Sequence, residues 1–327
     1  MDPSPSSVAG SQTQRRPDCL GGEVAPVTPF PLARELKERW NTEGWCVVPG
    51  VIPADELAAA QEAVHRYFPT PAEMVELGGT AAGEWHTWDA PWPEFPFHSS
   101  RLNALVLHDH VVDLAEAFLG THDLACYMGL VTAKYANQDS GYNQLLHADY
   151  PNHMVVVPRH APGYQQVEFF VYLTDVTTED GATRFASWQK TKDIPVQRHT
   201  LDYVEFADLY DDPTDATAPA GSVVAYRPDV YHRSVDHIDP TRYRIMIHVS
   251  FRHRDAGWGG YQAWPFRGFS PELSKYVQQA TPRQLALLGI PPPGHPYWND
   301  VTIVGMQGRY PGLDMTPWRA ALDCSPR

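Results

Sequence analysis

RYRIMIHVSF, residues 242–251, is the stretch of sequence that decides the fold. Apolar and mostly polar side chains alternate along it: the first set is Ile245, Ile247, Val249 and Phe251, and the second is Arg242, Arg244, Met246, His248 and Ser250. Because successive side chains of a β-strand point to opposite faces, this strand has one apolar and one polar face. The pattern predicts a barrel strand that is covered by helices outside and lines a polar interior, into which Arg242 points.

Helical patterns precede this strand, and other strand patterns surround it. Three helical stretches lie within residues 31–119, and Gly44 ends the first of them. Strand patterns fill residues 120–253, including VEFFVYL at 167–173. Helices followed by a run of strands favour one mainly β architecture with buttressing helices over alternating βαβ units.

The two ends of the chain differ from this middle part. Residues 1–30 are rich in Pro, Ser and Gly, which predicts a disordered N-terminal segment before a single domain at 31–327. Residues 254–327 combine many prolines with aromatic residues. We expect this segment to cover the barrel as packed structure without regular elements.

Composition limits the possible partners. The 327 residues carry a formal charge of −14, which disfavours binding to nucleic acid and to anionic membrane surfaces. No apolar run is long enough to span a membrane, so the cytoplasm is the expected compartment. The four cysteines have no CxxC spacing, which supports neither a zinc site nor a disulfide framework. The sequence leaves the oligomeric state open.

A His-x-Asp motif carries the strongest chemical signal. Three such motifs occur, beginning at His147, His237 and His253. Only His147-Ala-Asp149 is followed by a β-rich stretch that ends in another histidine, His232, and then by an arginine at the start of a strand. Two histidines and one carboxylate leave open positions on a metal for a chelating cosubstrate and O2, the arrangement of non-haem iron sites.

An arginine on the polar face of the closing strand would bind an anionic cosubstrate. A guanidinium grips a carboxylate through two parallel hydrogen bonds, which lysine cannot reproduce. Arg242 is the preferred residue and Arg244 the rival on the same face. Lys134, on the strand before the motif, is a further candidate for contact with the cosubstrate, and Tyr150 and Gln144 flank the motif as candidate substrate contacts.

The chain resembles the phytanoyl-CoA dioxygenase family of Fe(II)/2-oxoglutarate-dependent oxygenases over roughly residues 35–252. The segments that carry the resemblance include EGWCVVPGVIPADELAAAQEAV, LLHADY, VYLTDVTTEDGATRF, GSVVAYRPDVYHRS and RYRIMIHVSF. The resemblance implies a double-stranded β-helix, also called a jelly roll or cupin-like barrel. It also implies iron ligands at His147, Asp149 and His232, and a 2-oxoglutarate site at Arg242 with help from Ser234. The family's arginine commonly lies eleven residues after the second histidine, so Arg242 falls one residue short.

The implied reaction is hydrogen abstraction from a small-molecule substrate, with release of succinate and CO2. Hydroxylation is expected, or desaturation or cyclisation begun by the same step, on a natural-product substrate. Asp149 argues against a halogenase, which has a small residue there, and the acidic surface argues against a nucleic-acid demethylase. The resemblance makes Trp258 and Trp264 candidate substrate contacts in the covering segment. The alternatives are an inactive barrel that serves as a binding or scaffold protein, and a cupin-type metal enzyme without 2-oxoglutarate.

Overall fold

The computed structural model describes residues 30–76, 92–136, 144–154, 158, 163–195, 198–211, 214–257 and 270–323. Five helices come first: α1 (Arg34–Glu43), α2 (Ala54–Val64), α3 (Pro71–Glu76), α4 (Ser100–Val106) and α5 (Asp109–Leu119). Three short helices lie between strands: α6 (Tyr150–His153), α7 (Trp188–Thr191) and α8 (Ala207–Asp211). Four more follow the sheets: α9 (Pro271–Gln279), α10 (Pro282–Leu287), α11 (Asp300–Arg309) and α12 (Thr316–Asp323).

Within the part of the chain that the structure describes, ten strands form two five-stranded antiparallel sheets. The larger sheet has the order β1-β8-β4-β10-β2, with β1 (Trp45–Val48), β2 (Leu124–Tyr135), β4 (Gln166–Tyr172), β8 (Val223–Tyr226) and β10 (Tyr243–His253). The smaller has the order β6-β3-β9-β5-β7, with β3 (Leu146–His147), β5 (Arg184–Phe185), β6 (Thr200–Leu201), β7 (Thr214–Asp215) and β9 (His232–Arg233). This is the mainly β, double-stranded β-helix architecture that the sequence predicted.

Strand β10 lies between β4 and β2 in the larger sheet, and its alternation is confirmed. It pairs with β2 on one side and β4 on the other. Ile245, Ile247, Val249 and Phe251 are fully buried in the main hydrophobic cluster. Leu105 of α4 and Phe118 of α5 belong to the same cluster, so the helices cover the apolar face of the sheet. Burial of each such side chain contributes about 1.5–3 kcal/mol relative to exposure.

The helices follow the sequence signals closely at the start of the chain. Gly44 ends α1 with φ of 75°, a left-handed conformation that glycine adopts at little cost. The helix expected near residues 101–119 is two helices, α4 and α5. His108 separates them, and its side chain accepts a hydrogen bond from the His110 amide and caps α5. A side-chain acceptor at this position competes with continuation of α4.

The expectation of an irregular C-terminal segment was wrong. Residues 270–323 contain four helices, α9 to α12. Pro271 and Pro282 occupy the first turns of α9 and α10, after the capping residues Ser270 and Thr281. A proline costs nothing there, because the amide hydrogen it lacks would have no partner in the helix. The prolines therefore mark helix starts in this segment.

Within the described residues, no helix has both the length and the apolar composition that a membrane crossing requires.

Candidate metal centre

The structure brings His147, Asp149 and His232 together between the two sheets. His147 in β3 lies directly opposite His232 in β9. Nε2 of His147 is 3.4 Å from Oδ1 of Asp149, and Nε2 of His232 is 3.2 Å from Oδ2. The three ligand atoms all lie within 4.8 Å of one another. Two imidazoles and one carboxylate therefore converge on one point.

Backbone carbonyls fix the ring nitrogens that face this point. Nδ1 of His147 is 2.9 Å from the carbonyl oxygen of Leu145, and Nδ1 of His232 is 3.0 Å from that of Val230. Because a carbonyl only accepts, each Nδ1 carries a proton, and each Nε2 keeps a lone pair for a metal. Metal-ligating histidines are oriented in the same way in other proteins. The donor set fits a divalent transition metal with open coordination positions.

Asp149 is held as an ionised carboxylate. Tyr226 donates a hydrogen bond of 2.9 Å to its Oδ2. Burial raises the pKa of Asp149, but His232 and His147 outweigh this effect and hold the pKa well below 3.8. Burial lowers the pKa of His147, yet Asp149 raises it by more, so it lies above 6.5. The field of the carboxylate thus favours a positive charge at the point where the three side chains meet.

The triad opens into a cavity of about 580 Å³ between the sheets. This volume falls within the range of roughly 300–1,000 Å³ that is typical of small-molecule sites. The larger sheet contributes both apolar and polar wall residues, among them Met128, Leu130, Thr132, Phe170, Met246 and His248. The cavity wall therefore combines apolar surface with a few convergent polar groups.

Two basic side chains lie at one end of this cavity, of which Arg244 is buried and Lys134 is partly buried. Arg244 in β10 is the cross-strand partner of Lys134 in β2, and both line the cavity. Nη1 of Arg244 donates to the carbonyl oxygen of Gly181, and Lys134 Nζ donates to Ser234 Oγ at 2.8 Å. Burial, and then the charge of Arg244, lower the pKa of Lys134 to about 7. We call Arg244 and Lys134 the cationic end, and its chemistry suits a carboxylate.

Arg242 does not point into the cavity, contrary to the expectation from the alternation. It precedes β10, which begins at Tyr243, and its guanidinium forms two hydrogen bonds of 2.6 Å with the carboxylate of Asp180. Asp180 is fully buried. Its ion pair with Arg242 closes the turn that precedes β10. Arg244, two residues later, is instead the arginine on the inward face of the strand, and it is 5% exposed.

The other predicted residues have different positions. Ser234 and Gln144 line the cavity, and the Gln144 Oε1 accepts a hydrogen bond from the Ser234 amide at 3.1 Å. Tyr150 packs against a neighbouring apolar cluster and is not a wall residue. Trp258 and Trp264 lie outside the described residues, as do residues 1–29.

The sequence interpretation gave no role to His153. This residue ends α6, is 7% exposed and lines the cavity. Its position four residues after Asp149 is one helical turn, which is the signal that could have found it.

A double-stranded β-helix that holds two histidines and a carboxylate beside a cationic end defines a class of metal-dependent oxygenases with a 2-oxo acid cosubstrate. Residues 40–239 match the family model described as Phytanoyl-CoA dioxygenase (PhyH). This match covers well over half of the chain, so the chain belongs to that family of Fe(II)/2-oxoglutarate-dependent oxygenases. The resemblance seen in the sequence, and with it the expected iron and 2-oxoglutarate, is confirmed.

Two of the solved structures that this chain is similar to are enzymes of nogalamycin biosynthesis. The non-heme α-ketoglutarate-dependent carbocyclase SnoK from nogalamycin biosynthesis is 19% identical with a TM-score of 0.53, covering 75% of this chain and 95% of that chain. The epimerase SnoN of the same biosynthesis is 16% identical with a TM-score of 0.48, covering 68% and 85%. HygX from Streptomyces hygroscopicus, with nickel and 2-oxoglutarate bound, has the same identity and TM-score and covers 71% and 96%. At these identities the likeness to SnoK supports the fold alone. No curated protein matches this chain.

Proposed function

We propose that this protein is an Fe(II)/2-oxoglutarate-dependent dioxygenase that abstracts hydrogen from a small-molecule substrate and hydroxylates, desaturates or cyclises it. One observation carries the proposal: a single cavity joins the triad of His147, Asp149 and His232 to the cationic end at Arg244 and Lys134. A metal and a dicarboxylate bound together need this combination of sites. The products from the cosubstrate would be succinate and CO2.

Different residues of the cavity would bind the metal and the cosubstrate. His147, Asp149 and His232 would hold Fe(II), and Arg244 would bind the far carboxylate of 2-oxoglutarate with Ser234 beside it. Bound iron, 2-oxoglutarate and O2 together supply the oxidant for a substrate C–H bond. Arg242 is not proposed for this role, because its guanidinium already forms two hydrogen bonds with the Asp180 carboxylate and does not line the cavity.

The protein would orient the substrate and exclude water. Met128, Leu130 and Phe170 present apolar surface beside the triad, which disfavours bulk water near a reactive site. Tyr226 holds Asp149 in place through its hydrogen bond, so the carboxylate does not rotate away when a ligand binds. Lys134, beside Arg244, would strengthen the attraction for an anion.

The proposed substrate is a small natural product. The cavity suits a molecule of this size, and the charge of −14 disfavours nucleic acid. Gln144 remains a proposed substrate contact, and Trp258 and Trp264 remain predicted ones. An intact triad beside a cationic end argues against an inactive scaffold, and Asp149 argues against halogenation. We also retain the cytoplasm as the expected compartment.

Succinate release from 2-oxoglutarate tests the proposal without a known substrate, because slow cosubstrate turnover needs only Fe(II) and O2. We expect Asp149→Ala to lower this rate by more than about a hundredfold, since loss of residues that merely support metal ligands costs 10–100-fold. Asp255→Ala, in the His-x-Asp motif that begins at His253, is the matched control and should keep the wild-type rate. Iron-independent succinate release, or equal rates in Asp149→Ala and wild type, would contradict the proposal.

A further inference from the structure

We propose that His153 is a substrate-positioning residue whose Nε2 accepts a hydrogen bond from a hydroxyl group of the substrate. The inference rests on the proposed function and narrows its substrate class to molecules with an apolar body and a hydroxyl group. It concerns the part of the cavity that is away from the cationic end. His153 is absent from the metal triad and from the proposed 2-oxoglutarate site.

Helix α6 places His153 beside the triad. The helix begins directly after Asp149, which occupies its N-cap position, and His153 is its last residue. One helical turn therefore separates the metal-binding carboxylate from this imidazole. His153 lines the cavity while its residue as a whole is only 7% exposed.

A buried carboxylate holds the other edge of the imidazole. Nδ1 of His153 is 3.1 Å from the Tyr127 hydroxyl and 3.3 Å from Oε1 of Glu168. Tyr127 and Ser250 each donate a hydrogen bond to Glu168, one to each carboxylate oxygen. Because Tyr127 gives its only proton to Glu168, Nδ1 must be the donor in its own contacts. In its neutral form, the His153 ring therefore carries its proton on Nδ1 and has an acceptor lone pair on Nε2.

Burial of the Glu168 carboxylate that holds His153 costs free energy, which argues that this network has a role beyond packing. Glu168 is 1% exposed, and burial raises its pKa. A buried carboxylate is tolerated only where several donors compensate it, and here Tyr127, Ser250 and His153 surround it. Among the described residues, none hydrogen-bonds Nε2 of His153. The network thus fixes one ring nitrogen and leaves the other for a group in the cavity.

The sheet register places this network near the metal centre and far from the cationic end. Glu168 in β4 pairs with Tyr226 in β8, and Tyr226 donates to the metal-binding Asp149. On its other side Glu168 pairs with Ser250 in β10. Arg244 lies six residues before Ser250 on that strand, roughly 20 Å away at about 3.3 Å per residue.

Two ends of the cavity therefore serve two ligands. A cosubstrate carboxylate at Arg244 leaves the His153 end for the substrate, with the triad between them. Met128 and Leu130 supply apolar wall in this region, and Phe170 packs beside His248, its cross-strand partner, on the same sheet. A substrate hydroxyl donated to His153 would orient an apolar body over the metal centre.

Binding of naphthol and of its methyl ether to the protein loaded with Zn(II) and 2-oxoglutarate tests this assignment. These probes differ in one hydrogen-bond donor. We expect naphthol to bind roughly fivefold more tightly, the effect of one net hydrogen bond. His153→Phe should remove this preference. His122→Phe is the matched control, because His122 lies outside the cavity with a side chain that is 90% exposed, and it should keep the preference.

Nitrogen NMR of the wild-type protein keeps the proposal testable if His153→Phe does not fold. We expect Nδ1 of His153 to be protonated and Nε2 unprotonated, with the Nε2 resonance shifting when naphthol but not its ether is added. A protonated Nε2, or a hydroxyl preference that survives His153→Phe, would overturn the assignment. Failure of iron-dependent succinate release would instead overturn the proposed function, since probe binding does not depend on turnover.

Discussion

His147 and His232 are cross-strand partners on β3 and β9, with ring centroids 4.6 Å apart. The pairing of two backbone segments thus sets the distance between the two imidazoles. A slip of one residue between these strands would turn one ring to the opposite face of the sheet. The candidate metal centre is therefore specified by strand register.

Tyr226→Phe should weaken metal binding without unfolding the protein. The change removes the hydrogen bond to Asp149 Oδ2 and leaves the ring in place. Loss of such a support typically lowers metal affinity 10–100-fold, and we expect about tenfold for Fe(II) by anaerobic calorimetry. Tyr172→Phe removes a hydroxyl that donates to the Ala216 carbonyl, and it should bind iron as the wild type does. Equal affinities in the two variants would contradict this role of Tyr226.

Binding of 2-oxoglutarate should strengthen as the pH falls through about 7. Lys134 has its pKa lowered to about 7 by burial and by Arg244, so it gains its charge in this range and attracts the dianion. His237, also at this end, has its pKa lowered to about 4 by burial and stays neutral. We expect roughly a fivefold change in affinity between about pH 8 and about pH 6, measured on metal-loaded protein. Lys134→Met should flatten this profile, and an unchanged profile would exclude Lys134 as its cause.

Gly181→Ala should be strongly destabilising. Gly181 has φ of 64°, and an added Cβ would lie 2.6 Å from the Val235 carbonyl oxygen. We expect a loss of about 3 kcal/mol in the free energy of unfolding, from left-handed strain and a steric clash. Gly120 has a similar φ of 70°, but the space around an added Cβ is open. Gly120→Ala should therefore lose only about 1 kcal/mol in the free energy of unfolding. Urea unfolding of the two variants separates these contributions, and equal losses would show that the clash is relieved.

Arg242→Gln should reduce stability at neutral pH and lose this effect in acid. Burial raises the pKa of Asp180, but its hydrogen bonds from Arg242 and Thr177 outweigh this and hold it below 3.8. A carboxyl with a depressed pKa contributes stability above its unfolded-state pKa and loses it as the pH falls through the folded-state pKa. We expect a cost of about 1–2 kcal/mol at about pH 7 that shrinks toward about pH 3 in urea unfolding. A cost that is constant with pH would contradict the ion pair as its source.

The fold and the clustering of His147, Asp149 and His232 were predictable because local patterns encode them. Alternation in RYRIMIHVSF reports one buried and one polar face, and the spacing of His147 and Asp149 places both at the end of a short strand. The link to His232 came from order along the chain and from the family resemblance. The helices after residue 270 were missed, because proline density was taken to exclude helix where it marks helix starts.

Residues that act through distant partners were not predictable. Which arginine is available for 2-oxoglutarate depends on Asp180. This residue lies in a turn far away in sequence and forms an ion pair with Arg242. The importance of His153 depends on Glu168 and Tyr127, which strand pairing brings to it. Periodicity gives the face of a side chain, but only the three-dimensional structure gives its partner.

Anaerobic titration with Fe(II) and 2-oxoglutarate, followed by visible absorbance, tests the central claim most directly. The claim is that the triad and Arg244 bind iron and 2-oxoglutarate together. It predicts a weak visible charge-transfer band that needs both ligands, persists in Arg242→Ala, and requires much higher 2-oxoglutarate in Arg244→Ala. Absence of the band in iron-loaded wild type, or loss of the band in Arg242→Ala but not in Arg244→Ala, would contradict the claim.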